Sequence, residues 1–331
     1  NKVDWLFNYG MFSFDEPNFL IKFLKGKLEY WLGIEGYRAF ANNYSNQRRS
    51  VLEQKLKLDK DQKSRLFQAL RENARPANRR YLYDFFFDNC STRPRDMLSK
   101  HITGIDFSES PHPSLTFRQL LDQYTVGHNW ADFGIDLIIG KIADRKASRT
   151  EQMFLPEYLY FYMNFAKQNG RKIVSSERLL LDYEKEAKRR TSSSFISPVL
   201  IAILLLLFEI YLFLRFRKNH ERWVKIYDGF WFTFLSLGGL LILFMWFGTD
   251  HIATKDNLNI LWLHPLYLLL YLKKFYKPLY SLLLTTLLLG IIQHGFIQSF
   301  HMASLLLILA TFLKIIRRLF ERLKYPQAVT S

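Results

Sequence analysis

Apolar and polar positions divide the chain near residue 195. Before it, short apolar runs alternate with charged ones; after it, Leu, Ile, Phe and Tyr dominate and the charges gather in clusters. In the first part DWLFNYGMFSF (4–14) alternates as a strand does. EPNFLIKFLKGKLEYWLG (16–33) reads as a helix or a pair of strands, punctuated by Gly26 and Gly33. The stretch 45–74 predicts two amphipathic helices, the second capped by Asp59 with Leu66, Phe67 and Leu70 on one face. RRYLYDFFF (79–87) is an aromatic strand or helix end, and PRDMLSKHI (94–102) a helix that Gly104 stops. FRQLLDQYT (117–125) and WADFGIDLIIGKIAD (130–144) add helical or mixed segments, and EQMFLPEYLYFYMNFAKQ (151–168) a longer amphipathic helix. The serines before Phe195 read as a short linker.

The second part has the pattern of membrane spans. FISPVLIAILLLLFEIYLFL (195–214) holds a single acid, Glu209, and has the length a bilayer core requires. Further candidates are 226–248, 278–300 and 302–316, with a shorter stretch at 260–272 that Pro265 marks as broken or shallow. The expectation is an α+β domain over 1–190, an all-α transmembrane domain of about five helices over 195–318, and a cytoplasmic tail over 319–331.

Charge refines this division. The chain carries 46 Lys and Arg against 30 Asp and Glu, a net charge of +16. Much of the excess flanks the apolar segments, and no basic-aromatic nucleic-acid signature accompanies it, so no nucleic-acid partner is expected. Loops 215–225, 273–277 and 314–324 hold thirteen Lys and Arg; the alternate loops, at 249–259 and near His301, hold one. That asymmetry places the basic loops in the cytoplasm and residues 1–190 outside it. The bilayer is therefore an expected partner, with the protein multi-pass. The chain opens on Asn1 within a strand-like stretch, which reads as an incomplete or processed start.

YDFFFDNCSTRPRD (83–96) contains Cys90, the only cysteine of 331 residues. An exported thiol without a partner is either an inert core group or kept for its chemistry. Asp88 and Asn89 favour a helix start here, Ser91 follows, and Arg93 and Arg95 add positive potential. Free amides at such a start favour a thiolate and can hold an oxyanion. Arg93 and Arg95 also suit a phosphate head group, or Arg93 a pair with Asp96. A thiol nucleophile needs a base, usually His. His101 lies too far along the same helix, His112 and His220 read as loop residues, and His264, His294 and His301 lie in or beside spans. His128 and His251 have no stronger claim. In the outer loop, Thr249, Asp250, His251, Asn257 and Asn259 form a polar cluster that either contributes to the site or is simply solvated.

FNYGMFSFDEPNF, KFLKGKLEYWLG, RRYLYDFFFDNCSTRPRD, FGIDLIIGKIADR, EQMFLPEYL and NLNILWLHPL together resemble the Lnb family of Bacteroidetes, most specifically at Asp-Asn-Cys-Ser-Thr-Arg. The resemblance implies a circularly permuted papain-like domain and Cys90 as nucleophile. It implies that Cys90 takes an acyl chain from a membrane phospholipid and passes it to the α-amine of a diacylated lipoprotein. It places a Gly-His motif shortly upstream of the Asn-Tyr-Gly strand, so the partner histidine is expected before Asn1. Asn8 or Tyr9 is then placed to orient that histidine, or forms a structural turn. No metal or cofactor is expected. Two other functions fit the same residues: a membrane-tethered thiol peptidase or amidase acting on cell-wall peptides, and a non-catalytic anchor or assembly protein with an inert cysteine.

Overall fold

The computed structural model describes residues 4–107, 113–183, 196–215, 222–271 and 276–324. His112, His220, the Ser192–Ser194 linker and much of the basic loops lie outside the described residues. Two compact units share the chain. The first takes Asn1–Leu120, Lys146–Ser192 and Asp250–Ile252; the second takes Leu121–Arg145, Ser193–Thr249 and Ala253–Ser331.

In chain order the elements to residue 183 are β1 (Trp5–Met11), α1 (Phe19–Leu24), β2 (Glu29–Gly36), α2 (Tyr37–Asn46), β3 (Val51–Leu56), α3 (Lys60–Asn73), β4 (Arg80–Leu82) and α4 (Thr92–His101). Then come β5 (Ile105–Asp106), α5 (Phe117–Thr125), α6 (Asn129–Ile138), α7 (Arg149–Gln152), α8 (Pro156–Phe165), β6 (Lys167–Gln168), β7 (Arg171–Lys172) and β8 (Val174–Leu181). The first unit is thus α+β. Its main sheet has the order β1-β2-β4, all antiparallel, and buries Tyr9, Leu32 and Tyr81 as a common core. The β1–β2 register shifts between Asn8 and Met11, around Gly10 at φ +97°. Such a bulge turns the end of the strand, and only glycine accepts that φ without strain.

Two expectations are corrected in this unit. The first of the two helices expected within 45–74 is the strand β3, which pairs with β8 more than a hundred residues away. Glu53 and Arg178 face each other across that pair at 2.5 Å. The second is the helix α3, with Asp59 capping it in a reciprocal box with Gln62. The single helix expected at 151–168 is broken. Pro156 begins α8, where its missing N–H costs nothing, and Met153, Phe154 and Leu155 are buried in the break.

The second unit contains α6, α9 (Pro198–Leu214), α10 (Arg222–Phe247), α11 (Tyr276–Gln293) and α12 (Met302–Lys324). The helix α10 is long and apolar enough to cross a membrane, and Pro198–Leu214 and Lys277–Gln293 are shorter apolar helices. Among the described residues of this stretch, 260–271, no α-helix forms. Two 3₁₀ segments occupy this region, Leu258–Leu261 and Pro265–Tyr271. They lie against α10: a Cβ on Gly239 would stand 2.2 Å from the Leu263 carbonyl oxygen, and Tyr271 donates to the Gly229 carbonyl at 2.6 Å. A 3₁₀ helix rises about 2.0 Å per residue, so a short stretch covers depth that would need a longer α-helix. The expected tail from 319 is, as far as Lys324, the last turns of α12.

Buried ions join α9, α10 and α12. Lys314 lies 2.5 Å from Glu209 and 2.8 Å from Asp228, and Arg317 reaches Asp228 at 2.6 Å and Glu321 at 2.9 Å. Lys314 and Arg317, counted in the sequence as loop cations, are fully buried. Ion pairs inside an apolar bundle persist only when each charge has its partner.

Candidate active site

The segment ahead of Cys90 is fixed residue by residue. Asp84 accepts from the amides of Phe86 and Phe87, and the main chains of Asp84 and Asp88 exchange hydrogen bonds of 2.9 and 3.2 Å. This tight turn drives Phe86 into a ring cluster with Phe117 and Phe154, at centroid distances of 4.6 and 5.3 Å. The next residue, Asn89, is buried and saturated. Its Oδ1 accepts from the amides of Ser91 (2.8 Å) and Thr92 (3.0 Å), and its Nδ2 donates to the carbonyls of Phe85 (2.8 Å) and Phe154 (3.0 Å). Its own amide donates to Thr92 Oγ1. The N-cap of α4 is thus Ser91 and not Asp88 or Asn89; Asn89, two residues earlier, holds the amides of Ser91 and Thr92 and so fixes the backbone around Cys90.

Cys90 is a free thiol and exposed, not part of the Phe85–Phe87 packing. Gly10 faces it: a Cβ there would lie 2.9 Å from Cys90 Cβ and 3.9 Å from Sγ. The Asn8-Tyr9-Gly10 strand is thus brought directly against the thiol. One side of the residue is open and the other crowded, and burial on the crowded side pushes the thiol above its ordinary pKa. A hydrogen bond from Ser91 and the Cys90 amide offset part of that rise. The lowered pKa expected from the helix start and nearby cations is not what the surroundings produce. The amides of Ser91 and Thr92 are spent on Asn89, and the neighbouring guanidinium is neutralised. Arg93 forms a bidentate pair with Asp88 at 2.5 and 2.6 Å and lies 4.0 Å over the Tyr81 ring. Arg95, not Arg93, pairs with Asp96, and it also donates to the Thr150 carbonyl. Both arginines serve the scaffold here.

The remaining candidates separate into neighbours and supports. Asn8 donates to Glu35 at 3.3 Å and Tyr9 to Asn73 at 2.5 Å, so both side chains are committed within the sheet and α3. Burial pushes the Tyr9 phenol up to about 12. Asp250 and His251 lie beside the end of α1: the Asp250 amide donates to the Lys25 carbonyl at 2.9 Å, and His251 Nε2 stands 3.0 Å from the Phe23 carbonyl oxygen. Asn257 and Asn259 are buried and donate to the last carbonyls of α6, from Asp136 to Ile138. Thr249 donates back to the Met245 carbonyl.

Among the described residues Cys90 has no histidine partner. His101 ends α4, about 14 Å along the axis from Thr92 at 1.5 Å per residue. His264, His294 and His301 accept main-chain amides through Nδ1, and His128 stands just before α6.

Sequence reasoning missed three residues beside the thiol. Tyr30, Tyr81 and Tyr83 lie close enough for charge on the sulfur to raise their phenols. Tyr30 stacks on Tyr83 at 4.4 Å, and the Tyr81 hydroxyl is buried without a hydrogen-bond partner among the described residues. The alternation in EYW and RYLY was the available signal, because it turns these rings to one face of β2 and β4. A cleft of about 690 Å³ near Phe107, Ser114 and Thr150 belongs to the same unit but is not lined by Cys90. No group of three or more His, Cys, Asp or Glu among the described residues is arranged for a metal.

An α+β domain with an open thiol at a helix start, followed in sequence by apolar helices, describes a membrane protein with a soluble domain. A family model described as the Lnb N-terminal periplasmic domain matches residues 2–123, and one described as the Lnb transmembrane domain matches residues 190–325. The soluble domain is therefore periplasmic, and the chain belongs to the Lnb family. No curated protein and no solved structure matches it.

Proposed function

We propose that this protein is a lipoprotein N-acyltransferase of the bacterial inner membrane, multi-pass, working through a thioester on Cys90. The observation that carries the reading is the exposed Cys90 thiol held at the start of α4, with its backbone clamped by Asn89 and Gly10 against it. Strand β1 packed on the cysteine segment also suits a permuted papain-like arrangement.

The chemistry divides a difficult transfer into two steps. The thiol is protonated at rest, because burial raises its pKa, so a base must remove the proton as the sulfur attacks. In this reading the base is the histidine that the family pattern places ahead of the Asn-Tyr-Gly strand. The thiolate adds to the ester carbonyl of a phospholipid, and the Cys90 amide is positioned for the resulting oxyanion. Unlike the amides of Asn89, Ser91, Thr92 and Arg93, it has no acceptor other than its own sulfur among the described residues. Collapse breaks the C–O bond, and the proton held by the base leaves with the lysophospholipid. The α-amine of a diacylated lipoprotein then attacks the thioester; its proton passes to the base and the thiol is restored. Because both substrates are lipid-anchored, confinement to one membrane raises their effective concentration.

The test uses protein in liposomes with labelled phospholipid and a diacylated lipopeptide. N-acylated lipopeptide is expected, with at least a thousandfold loss in Cys90→Ala. Equal product from Cys90→Ala would contradict the reading, and cleavage of a cell-wall peptide instead would favour a peptidase.

A further inference from the structure

The strongest unabsorbed feature of the periplasmic unit is α1 with the turn before it. None of the six residues of α1 is buried. Leu20 is 64% exposed, Ile21 54%, Phe23 50% and Leu24 44%, and Phe14 beside them is 73% exposed. A soluble domain seldom leaves so many large apolar side chains together in water. The patch has a margin of mixed charge: Lys22 pairs with Glu16 at 2.6 Å, Lys27 lies 3.8 Å from Asp250, and Lys25 is exposed at the end of the helix. Apolar side chains rimmed by charged groups of both signs match a bilayer surface, with acyl chains below and head groups around.

Two further observations tie this patch to lipid. The carbonyls of Phe23 and Lys25 are held by His251 and Asp250, and Asp250 follows Phe247, the last residue of the long apolar helix α10, by three positions in the sequence. Behind the patch, rings lead toward the thiol: Phe14 to Phe19 at 5.1 Å, Phe14 to Phe12 at 4.9 Å, Phe12 to Tyr30 at 5.1 Å, and Tyr30 to Tyr83 at 4.4 Å. Tyr30 and Tyr83 are two of the tyrosines beside Cys90.

We infer that Phe14 and α1 form a membrane-seating surface that dips into the periplasmic leaflet and opens the aromatic track behind it to lipid. The seating stands on exposure and on the place of Asp250 just after α10 in the sequence; only the purpose of the track rests on the acyltransferase reading.

The test places a polarity-sensitive fluorophore at Leu20→Cys or Phe14→Cys, in a Cys90→Ala background that leaves the chemistry out of the readout. The full chain is reconstituted in 3:1 phosphatidylethanolamine–phosphatidylglycerol vesicles with or without doxyl-labelled lipid. Blue-shifted emission and at least twofold quenching are expected at both positions, with neither at the exposed control Lys63→Cys. Adding Ile21→Asp and Leu24→Asp, neither of them buried, is expected to return the Phe14 label to the control value. Unquenched labels would overturn the proposal. So would labels shielded only when a diacylated lipoprotein is added, or only as protein concentration rises, since these outcomes assign the patch to a protein partner or a second copy.

Discussion

Gly10 is the residue where backbone conformation and chemistry meet. Alanine there brings about 1–2 kcal/mol of strain at positive φ and forces its Cβ to within 2.9 Å of Cys90 Cβ. Gly170 has a similar φ, +77°, with nothing within 4 Å. Gly10→Ala is therefore expected to lower acyl transfer more than tenfold, and Gly170→Ala to lower stability by a similar 1–2 kcal/mol with activity retained. Equal activities in the two variants would remove Gly10 from the site. Titration of Cys90 gives a second check. Its pKa is raised, so the neutral thiol is favoured and the thiolate fraction near pH 8 falls below that of a free cysteine. Alkylation should therefore lag behind a cysteine peptide at pH 8 and recover as pH rises further; rapid alkylation at pH 6 would contradict this. At this scale the sequence was legible where the chemistry is local. A helix start beside Cys90 follows from residue types and positions, although its N-cap is Ser91, two residues after Asn89. Gly10 against the thiol, Arg93 on Asp88 and the three tyrosines depend on how strands stack, which no local spacing reveals.

Among elements, those whose partners are near in sequence matched expectation: β1, α3 with its Asp59 cap, and α4. β3 did not, because its alternation is short and its partner β8 is distant. The 260–272 stretch was legible as irregular through Pro265, yet its form depends on Gly239 letting the backbone approach α10. The ion network is the element-scale device that charge counting concealed, since Lys314 and Arg317 resemble loop cations until Glu209 and Asp228 are seen beside them. Removing one member strands the others in an apolar bundle, at about 3–5 kcal/mol. Lys314→Met should lower thermal stability in detergent by ten degrees or more, and adding Glu209→Gln should recover part of it, because the double change removes charge of both signs. A Lys314→Met protein melting within two degrees of the parent would show that the network bears no weight.

On the scale of the whole molecule, loop charges and the periplasmic family match agree on the side of the membrane on which the first domain lies. The sequence order of soluble and apolar parts was plain, whereas the membership of the units was not: Leu121–Arg145 sorts with the apolar helices and Asp250–Ile252 with the periplasmic unit, through hydrogen bonds that a linear reading does not display. Every part of the functional account requires that the sulfur of Cys90 carry the acyl chain between two lipid-borne substrates. Intact-mass spectrometry of the full protein after incubation with phospholipid alone measures this most directly. The account predicts an added acyl mass that maps to Cys90, is cleared by hydroxylamine, and disappears when a diacylated lipopeptide is supplied. An enzyme that N-acylates the lipopeptide with Cys90 unmodified at every time point would contradict it.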